Sequence, residues 1–490
     1  MRHGCLSRDT TWSQTPCPTF FLQPMRGVWV QSQSQHWSES QVPCKLLMKT
    51  SLHQVKEKRC MRVTILTGGT RGDVQPYVAL GQGLQRSGHE VTLATTAQFE
   101  PFVLDHGLHF FPLSGDPQEV LEASLKEEGK RATRTGIAAR LAAVNTLMRT
   151  AMRECYTACQ QADAIVFNPI TVFACLPIAQ QLHLPCMAAY LQPIEPTHAF
   201  PGILFPSLPA WLGVARAPYN LVTGKVLDSM RWRMLKKPIQ SEAHALLGLS
   251  PQAVHNPSQV VREQEISIVY GYSPAVLPKP SDWPAESLVT GYWFLQEEAT
   301  FQPPADLVRF LEAGPAPVYI GFGSMANPHA EALTREVARS LSMAHQRAVV
   351  TTGWGALHHT TWPETVYETA SIPHSWLFPR MAATVIHGGA GTVAASLRAG
   401  KPTIVIPFLG DQGFWGERVH ALGAGPQSIR NTRLTAERLS AAINEAVTDE
   451  RMRANAAALG EQIRAENGVG QAVSAFNAYL AGHRAQQTAH

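Results

Sequence analysis

A glycine-rich turn in the second half of the chain has residues suited to holding an anion. The sequence HGGAGT at 387–392 follows a short apolar strand and precedes a predicted helix. Glycines let the backbone approach a ligand closely, and the N–H groups that open a helix favour negative charge. The turn therefore predicts a phosphate site, although a dinucleotide oxidoreductase or a structural turn would use the same pattern. The candidate groups are the backbone of Gly389, Ala390 and Gly391 and the side chains of His387 and Thr392.

Polar and aromatic residues follow neighbouring strands of the same half. Asp411 and Gln412 come after the strand at 403–406, where a carboxylate and an amide can bind the hydroxyls of a hexose. Ser324 closes the sequence GFGS at 321–324 and is a candidate for a second phosphate group. Trp376, in the sequence PHSWLF at 373–378, suits a flat base, although ordinary packing explains a tryptophan equally well.

One carboxylate in the first half is a candidate general base. Asp73 lies in the sequence GGTRGDVQP at 68–76, directly after the first predicted strand and at the start of a helix. Such a carboxylate can accept a proton from a hydroxyl group, but aspartate is also a favoured helix cap. An aspartate with an ordinary pKa near about 3.9 is a poor base, so the catalytic interpretation requires a site that raises this pKa.

Strands and helices alternate in both halves of the chain, which positions these residues. Apolar segments predict strands at 62–67, 91–95, 164–167 and 187–190, and again at 318–322, 348–351, 384–386 and 403–406. This alternation indicates two doubly wound parallel sheets, which bind ligands at the carboxyl ends of their strands. The predicted Rossmann-like domains span 61–285 and 305–480, with a proline-rich linker at 286–304 and a polar tail at 481–490.

The first 60 residues differ from the rest of the chain. They are rich in glutamine, serine, tryptophan and proline and show no strand or helix period, so we expect an unstructured leader and a natural start at Met61. The eight cysteines form no evident metal-binding pattern, and we interpret them as reduced thiols of a cytosolic protein. A net charge of +4 over 490 residues is too weak to indicate nucleic-acid binding.

Taken together, four motifs resemble the UDP-sugar-dependent glycosyltransferases with the GT-B fold. The closest likeness is to the sterol 3-beta-glucosyltransferase branch and its bacterial relatives, and it extends over about 61–480. It implies an α/β fold of two facing Rossmann-like domains with a cleft between them, the first binding the acceptor and the second the donor. The motifs are GFGS at 321–324, PHSWLF at 373–378, HGGAGT at 387–392 and GDQGFWG at 410–416.

The resemblance also implies roles for the candidate residues. Ser324, His387 and the backbone from Gly389 to Thr392 would hold the diphosphate, and Trp376 would lie near the uracil. Asp411 and Gln412 would hold the sugar, and Asp73 would be the general base. Ala395 stands where plant relatives have a ribose-binding glutamate, so ribose contacts must come from elsewhere. A UDP-sugar would be the co-substrate, with no metal ion and no other cofactor.

The acceptor region is predicted at about 110–235 and contains an apolar, proline-rich segment at 200–212. The apolar segment predicts an acceptor site, although a core loop would have the same composition. A basic helical segment follows at 225–237 and predicts peripheral membrane contact, although a solvated helix face would also explain it. We expect an inverting enzyme that transfers glucose from UDP-glucose to a lipid-like alcohol such as a sterol or triterpenoid. The alternatives are a macrolide, polyketide or glycopeptide glycosyltransferase using a UDP- or dTDP-sugar, and a non-catalytic nucleotide-sugar-binding protein.

Overall fold

The structure is a computed structural model, and it describes residues 60–115, 134–295, 301–323, 325, 329–352 and 357–487. In the helix that begins at 134, side chains are described from 146 onward, and at the C-terminal end they are described as far as 485. The predicted leader, apart from Cys60, and the candidate Ser324 lie outside these residues. In this part of the chain, no helix combines the length and the apolar character needed to cross a membrane.

The first domain contains a seven-stranded parallel sheet with the order β3-β2-β1-β4-β5-β6-β7. In β1, Val63 pairs with Val91 on one side and with Ala164 on the other. The chain thus winds outward from β1 in both directions. The strands are β1 (Arg62–Leu66), β2 (Glu90–Thr96), β3 (His109–Leu113), β4 (Ala164–Phe167), β5 (Cys186–Tyr190), β6 (Ile268–Tyr270) and β7 (Ser287–Val289).

Helices cover both faces of this sheet, which explains why its central strands lack an alternating pattern. All residues of β4 and β5 are buried, as expected for parallel strands covered on both sides. The helices are α1 (Arg71–Arg86), α2 (Glu100–Asp105), α3 (Arg134–Cys159), α4 (Val172–Leu182), α5 (Gly213–Leu247) and α6 (Pro257–Glu263).

The second domain has the same architecture, with a five-stranded parallel sheet in the order β10-β9-β8-β11-β12. Its strands are β8 (Val318–Gly321), β9 (Ala348–Thr351), β10 (Val366–Thr369), β11 (Thr384–Ile386) and β12 (Thr403–Val405). Its helices, with the final one included, are α7 (Ala305–Glu312), α8 (Ala330–Ala344), α9 (His374–Leu377), α10 (Ala390–Arg398), α11 (Gln412–Ala421), α12 (Ala436–Thr448), α13 (Glu450–Ala465) and α14 (Gly468–Gln487). The expected pair of doubly wound α/β domains is confirmed.

The direction in which successive strands are added to the sheet reverses at corresponding points of the two sheets. In the first sheet the reversal lies between β1 and β4, and in the second it lies between β8 and β11. A crevice forms at such a point, just outside the carboxyl ends of the strands. The turn that contains Asp73 follows β1, and the glycine-rich turn at 387–392 follows β11. Each predicted motif therefore lies at the switch point of its own sheet.

The domains share one apolar core as well as having their own. Tyr272 of the first domain contacts Trp415 of α11, with ring centroids 5.9 Å apart. Phe200 contacts Phe414 with centroids 5.5 Å apart. Arg418 adds a polar link, since its Nε donates to the carbonyl oxygen of Val276 at 2.6 Å. These contacts hold the second domain against the loops that follow β5 and β6.

Two boundaries differ from the ranges expected from the sequence. Strand β7 lies within the predicted linker, but it pairs with β6 and completes the first sheet. Helix α14 begins within the range predicted for the second domain, yet it packs on the first, where Phe476 is fully buried and contacts the ring of His89. The hydroxyl of Tyr479 also accepts a hydrogen bond from the backbone N–H of Cys186 in β5. The chain therefore returns to its first domain after completing the second.

Replacing Phe476 with alanine tests how much this returning helix stabilises the first domain. Loss of a fully buried phenylalanine ring should lower the free energy of unfolding by about 3–5 kcal/mol. Urea unfolding followed by circular dichroism measures the change. Gln471→Ala, on the exposed side of the same helix, is the matched control and should change stability little. A Phe476→Ala variant as stable as its parent would show that α14 is not part of the folded core.

Candidate active site

Two helix N-termini, one from each domain, meet in the cleft. A Cβ atom placed on Gly391 of α10 would lie only 3.8 Å from the Cα and carbonyl oxygen of Gly72 in α1. Thr70 is the N-cap of α1 and Gly389 is the N-cap of α10. The first backbone N–H groups of a helix have no partner within it, so the positive ends of both helix dipoles face the same region. Such a region favours an anion.

Asp73 lies in the first turn of α1, beside this meeting point. Its Oδ2 accepts hydrogen bonds from the backbone N–H of Thr70 at 2.9 Å and from the Thr70 hydroxyl at 3.1 Å. Asp73 thus takes part in a capping box, and Thr70 is the N-cap itself. Burial nevertheless raises the pKa of Asp73, against hydrogen bonds from Thr70 and Gln192 that lower it. The raised pKa is what a general base of this type requires.

A polar network below the turn holds Asp73 in place. The hydroxyl of Thr67 donates to the backbone oxygen of Asp73 at 2.9 Å, and Nδ2 of Asn168 donates to Thr67 Oγ1 at 3.1 Å. These residues follow β1 and β4, so the switch point of the sheet positions the carboxylate. Gly69 has a φ of 124°, and a Cβ there would lie 2.5 Å from Asp73 Oδ2. Only glycine leaves room for the carboxylate in this position.

His387 lies at the base of the glycine-rich turn and is 8 % exposed. Its ring fits between two glycines, since a Cβ on Gly389 would lie 2.5 Å from Nε2 and a Cβ on Gly323 would lie 3.0 Å from Cε1. Burial lowers the pKa of His387 to about 4, so the imidazole is neutral at pH 7. Its Nδ1 is buried without a hydrogen-bond partner. His387 can therefore serve as a neutral donor to a ligand in the cleft.

His374 and Arg71 join the site, although neither is among the candidates predicted from the sequence. His374 stacks on Phe378 at 4.2 Å, and burial, with smaller effects from His387 and Arg71, lowers its pKa to about 4. Arg71 belongs to the first domain and His374 to the second, so this electrostatic effect crosses the cleft. Both residues lie within motifs identified in the sequence, but residue type alone did not distinguish them from their neighbours.

Asp411 precedes α11 on the donor side of the cleft. Its Oδ2 accepts a hydrogen bond from Nε1 of Trp415 at 2.8 Å, one helical turn later. Burial raises the pKa of Asp411 to about 6, with a further contribution from the charge of Asp73 and against the opposing bond from Trp415. The two carboxylates thus influence each other across the cleft. Trp415, which is 1 % exposed, orients Asp411, a role that is not predicted from the sequence.

Gln412 is less available to a ligand than its neighbour. The residue is 4 % exposed, and its Oε1 accepts from the backbone N–H groups of Phe408 at 2.7 Å and Leu409 at 3.1 Å. Its Nε2 contacts Met325 Sδ at 3.3 Å. The carbonyl oxygen therefore stabilises the preceding loop. A contact between Gln412 and a sugar would have to use the remaining capacity of the amide nitrogen.

The remaining candidates border the same region. Trp376 is half-buried; Arg380 covers one face of its ring with Cζ 4.1 Å from the centroid, and Phe301 packs at 5.6 Å. A base stacked on Trp376 would therefore need the face that Arg380 leaves open. Ala390 and Thr392 are half-buried in the first turn of α10. The structure thus gathers Asp73, His387, Asp411 and the glycine turn, while Gln412 and Trp376 already have protein partners.

Asp411→Asn tests the raised pKa of this carboxyl group. A folded-state pKa of about 6, above the ordinary value near about 3.9, means that stability is lost as pH rises through this interval and Asp411 ionises. Asparagine cannot ionise, so the Tm of the variant relative to the parent should be higher at pH 7.5 than at pH 4.5. Calorimetry at both pH values measures this, with the exposed Asp105→Asn as control. A Tm difference that does not change with pH would contradict the assignment.

Two family models match the chain in the same order as its domains. The glycosyltransferase family 28 N-terminal domain matches residues 63–201. The erythromycin biosynthesis protein CIII-like C-terminal domain matches residues 344–474. The first match contains Asp73, and the second contains Trp376, the glycine turn and Asp411. Both halves of the cleft thus resemble domains of glycosyltransferase families.

Similar proteins cover most of the chain. A sterol 3-beta-glucosyltransferase of Arabidopsis thaliana is 36 % identical over 433 residues, which are 86 % of this chain and 66 % of that protein. A sterol 3-beta-glucosyltransferase of Aspergillus terreus is 36 % identical over 456 residues, which are 87 % of this chain and 30 % of that protein. The chain therefore spans less than two thirds of the length of these relatives.

Solved structures agree with the fold. The glycosyltransferase of kitacinnamycin has a TM-score of 0.63 at 17 % identity, covering 86 % of this chain and 100 % of its own. SnogD from Streptomyces nogalater has a TM-score of 0.57 at 20 % identity, covering 86 % of this chain and 99 % of its own. Given the two facing domains, the family matches and the similar proteins, this chain has the GT-B fold and resembles the sterol 3-beta-glucosyltransferase branch of the glycosyltransferases.

Proposed function

We propose that this chain is an inverting glucosyltransferase that moves glucose from UDP-glucose to the hydroxyl of a sterol or a similarly apolar alcohol. The names of its relatives support the reaction and the acceptor class. The observation that carries the proposal is the meeting of α1 and α10 at Gly72 and Gly391, which places the helix of Asp73 against the glycine-rich turn. A base from one domain and a leaving-group site from the other are what direct transfer needs.

In the proposed reaction, Asp73 accepts the proton of the acceptor hydroxyl as the hydroxyl oxygen attacks the anomeric carbon. The new bond forms on one face of the sugar, and the bond to the diphosphate oxygen breaks on the other, so the configuration at that carbon inverts. Burial favours this step because it raises the pKa of Asp73 towards the working pH. The hydrogen bonds from Thr70 to Oδ2 fix the orientation of the carboxylate.

The leaving group is UDP, whose diphosphate gains negative charge as the bond breaks. The N–H groups that open α10 would stabilise this charge, and those that open α1 face the same region. His387 would donate from a neutral imidazole, because burial lowers its pKa to about 4. These groups supply positive potential without a bound cation, and we propose that transfer is metal-independent.

On the same proposal, Asp411 binds hydroxyls of the transferred glucose. Its Oδ2 is held by Trp415, which leaves its remaining acceptor capacity for a ligand. The nearby charge of Asp73 raises the pKa of Asp411, so a hydroxyl donor between the two carboxylates would relieve unfavourable electrostatics. Gln412 contributes mainly by holding the backbone of Phe408 and Leu409.

Asp73→Asn tests the general base. With UDP-glucose and cholesterol or sitosterol as substrates, UDP release should fall by about 10²–10⁴-fold in kcat, because asparagine cannot accept the proton. The affinity for UDP, measured by calorimetry, should stay close to that of the parent. Asp105→Asn removes an exposed carboxylate from the same domain and should keep full activity. Undiminished turnover by Asp73→Asn would leave Asp73 with its capping role alone.

Asp411→Ala tests the sugar contact. Loss of hydrogen bonds to a charged acceptor costs about 1.5–3 kcal/mol, so the affinity for UDP-glucose should fall by roughly 10–100-fold. The affinity for UDP, which has no sugar to bind, should change much less. Calorimetric titration with both ligands separates the two effects. An equal loss for UDP and UDP-glucose would place Asp411 outside the sugar site.

A further inference from the structure

The exposed apolar side chains of the described residues are concentrated in one segment of the first domain. Seven of twelve exposed large apolar residues fall within 204–234, and Trp211 and Val214 are 81 % and 98 % exposed. Surface apolar residues are normal when scattered, but a contiguous group indicates an interaction site. We call this the α5 face; its apolar members are Leu204, Trp211, Val214, Val222, Val226, Met230 and Met234.

The α5 face follows the geometry of the helix. Residues 222, 226, 230 and 234 are spaced by four, which places them in one stripe along α5. The opposite side packs inward, where Asn220 and Gly224 are buried and a Cβ on Gly224 would lie 2.9 Å from Pro196. The helix therefore has a partner on one side, and the side that carries the stripe is exposed.

The charges on the α5 face all have the same sign. Five exposed basic residues lie within 204–237, and that segment has no exposed acidic residue. Its single carboxylate, Asp228, faces inward, where it accepts from Asn256 at 2.9 Å and from the hydroxyl of Ser258. The exposed basic residues are Arg216, Lys225, Arg233, Lys236 and Lys237.

We propose that the α5 face docks on an anionic lipid bilayer. Apolar side chains enter the boundary between headgroups and acyl chains, and the surrounding cations bind the lipid phosphates. Lysine and arginine suit this arrangement, because their apolar stems can lie in the bilayer while the charge stays at the headgroups. The face combines the two contributions that interfacial binding requires, namely buried apolar area and electrostatic attraction.

A second copy of the chain fits this face less well. Most soluble oligomers are symmetric, and a two-fold contact places the same surface of each copy against itself. Such a contact here would bring five cations against five cations with no exposed acid in the segment to pair with them. The charge pattern therefore favours an anionic surface over self-association.

The α5 face continues to the rim of the cleft. Ser207, in the loop that leads to Trp211, donates to the carboxylate of Glu417 in α11. Earlier in that loop, Phe200 packs on Phe414, two residues after Gln412. A docked protein would thus hold its cleft close to the bilayer, from which an apolar acceptor is available. The supply of an acceptor from the bilayer rests on the proposed function, whereas the docking of the α5 face on the bilayer does not.

Flotation of the full chain with lipid vesicles tests the proposal directly. The protein should bind vesicles of equal parts phosphatidylcholine and phosphatidylglycerol, bind weakly to phosphatidylcholine alone, and dissociate as salt is added. The triple variant Lys225→Glu/Lys236→Glu/Lys237→Glu should bind the anionic vesicles at least about tenfold more weakly. The pair Trp211→Ser/Met230→Ser should weaken binding without changing its dependence on salt.

The matched control removes one apolar residue and one cation elsewhere, in Met343→Ser/Arg451→Glu, and should bind vesicles like the parent. Thermal unfolding confirms that each variant is folded. Absence of vesicle binding by the parent, or equal binding by parent and triple variant, would overturn the proposal. So would a dimer in gel filtration that the triple variant dissolves. UDP release with a detergent-dispersed sterol provides a separate readout, so that failure of docking and failure of the transfer reaction are distinguishable.

Discussion

The N-termini of two helices determine which charge this cleft favours. Helix α1 of the first domain and α10 of the second begin at nearly the same place, where Gly72 and Gly391 approach each other. A Cβ on Gly391 would already be in van der Waals contact with Gly72, at 3.8 Å, so the two helices are close neighbours. Because the first N–H groups of each helix have no partner within it, an anion placed between the two helices would contact both domains.

Around this meeting point, burial shifts the pKa values of the titratable groups more than ion pairing does. Burial raises the pKa values of Asp73 and Asp411 and lowers those of His374 and His387. All four shifts favour the neutral form, which reduces the cost of placing these groups in a confined space. The helix N-termini and the Arg71 guanidinium then supply the positive potential of the site.

The same two domains explain why the α5 face and the cleft are neighbours. Loop 191–212 leaves the carboxyl end of β5, passes Phe414 and Glu417 of the second domain, and then enters α5. Since parallel strands place their following loops at one edge, the acceptor side and the exposed helix share that edge. The position of the proposed lipid-docking face beside the proposed acceptor site is thus a consequence of the topology.

Sequence alone determined the alternation of strands and helices, the strands at 164–167 and 348–351, and the glycine turn, because these depend on local pattern and backbone freedom. It did not reveal β6 and β7, which are stabilised by pairing with β5 and with each other. Nor could it place α14 on the first domain, where Phe476 is buried by residues far away in the sequence. Only the tertiary structure decided that Trp415 would orient Asp411 while contacting Tyr272. It also decided that the side chain of Gln412 would accept a hydrogen bond from the backbone of Phe408. Burial and hydrogen-bond partners depend on which segments meet in the folded chain.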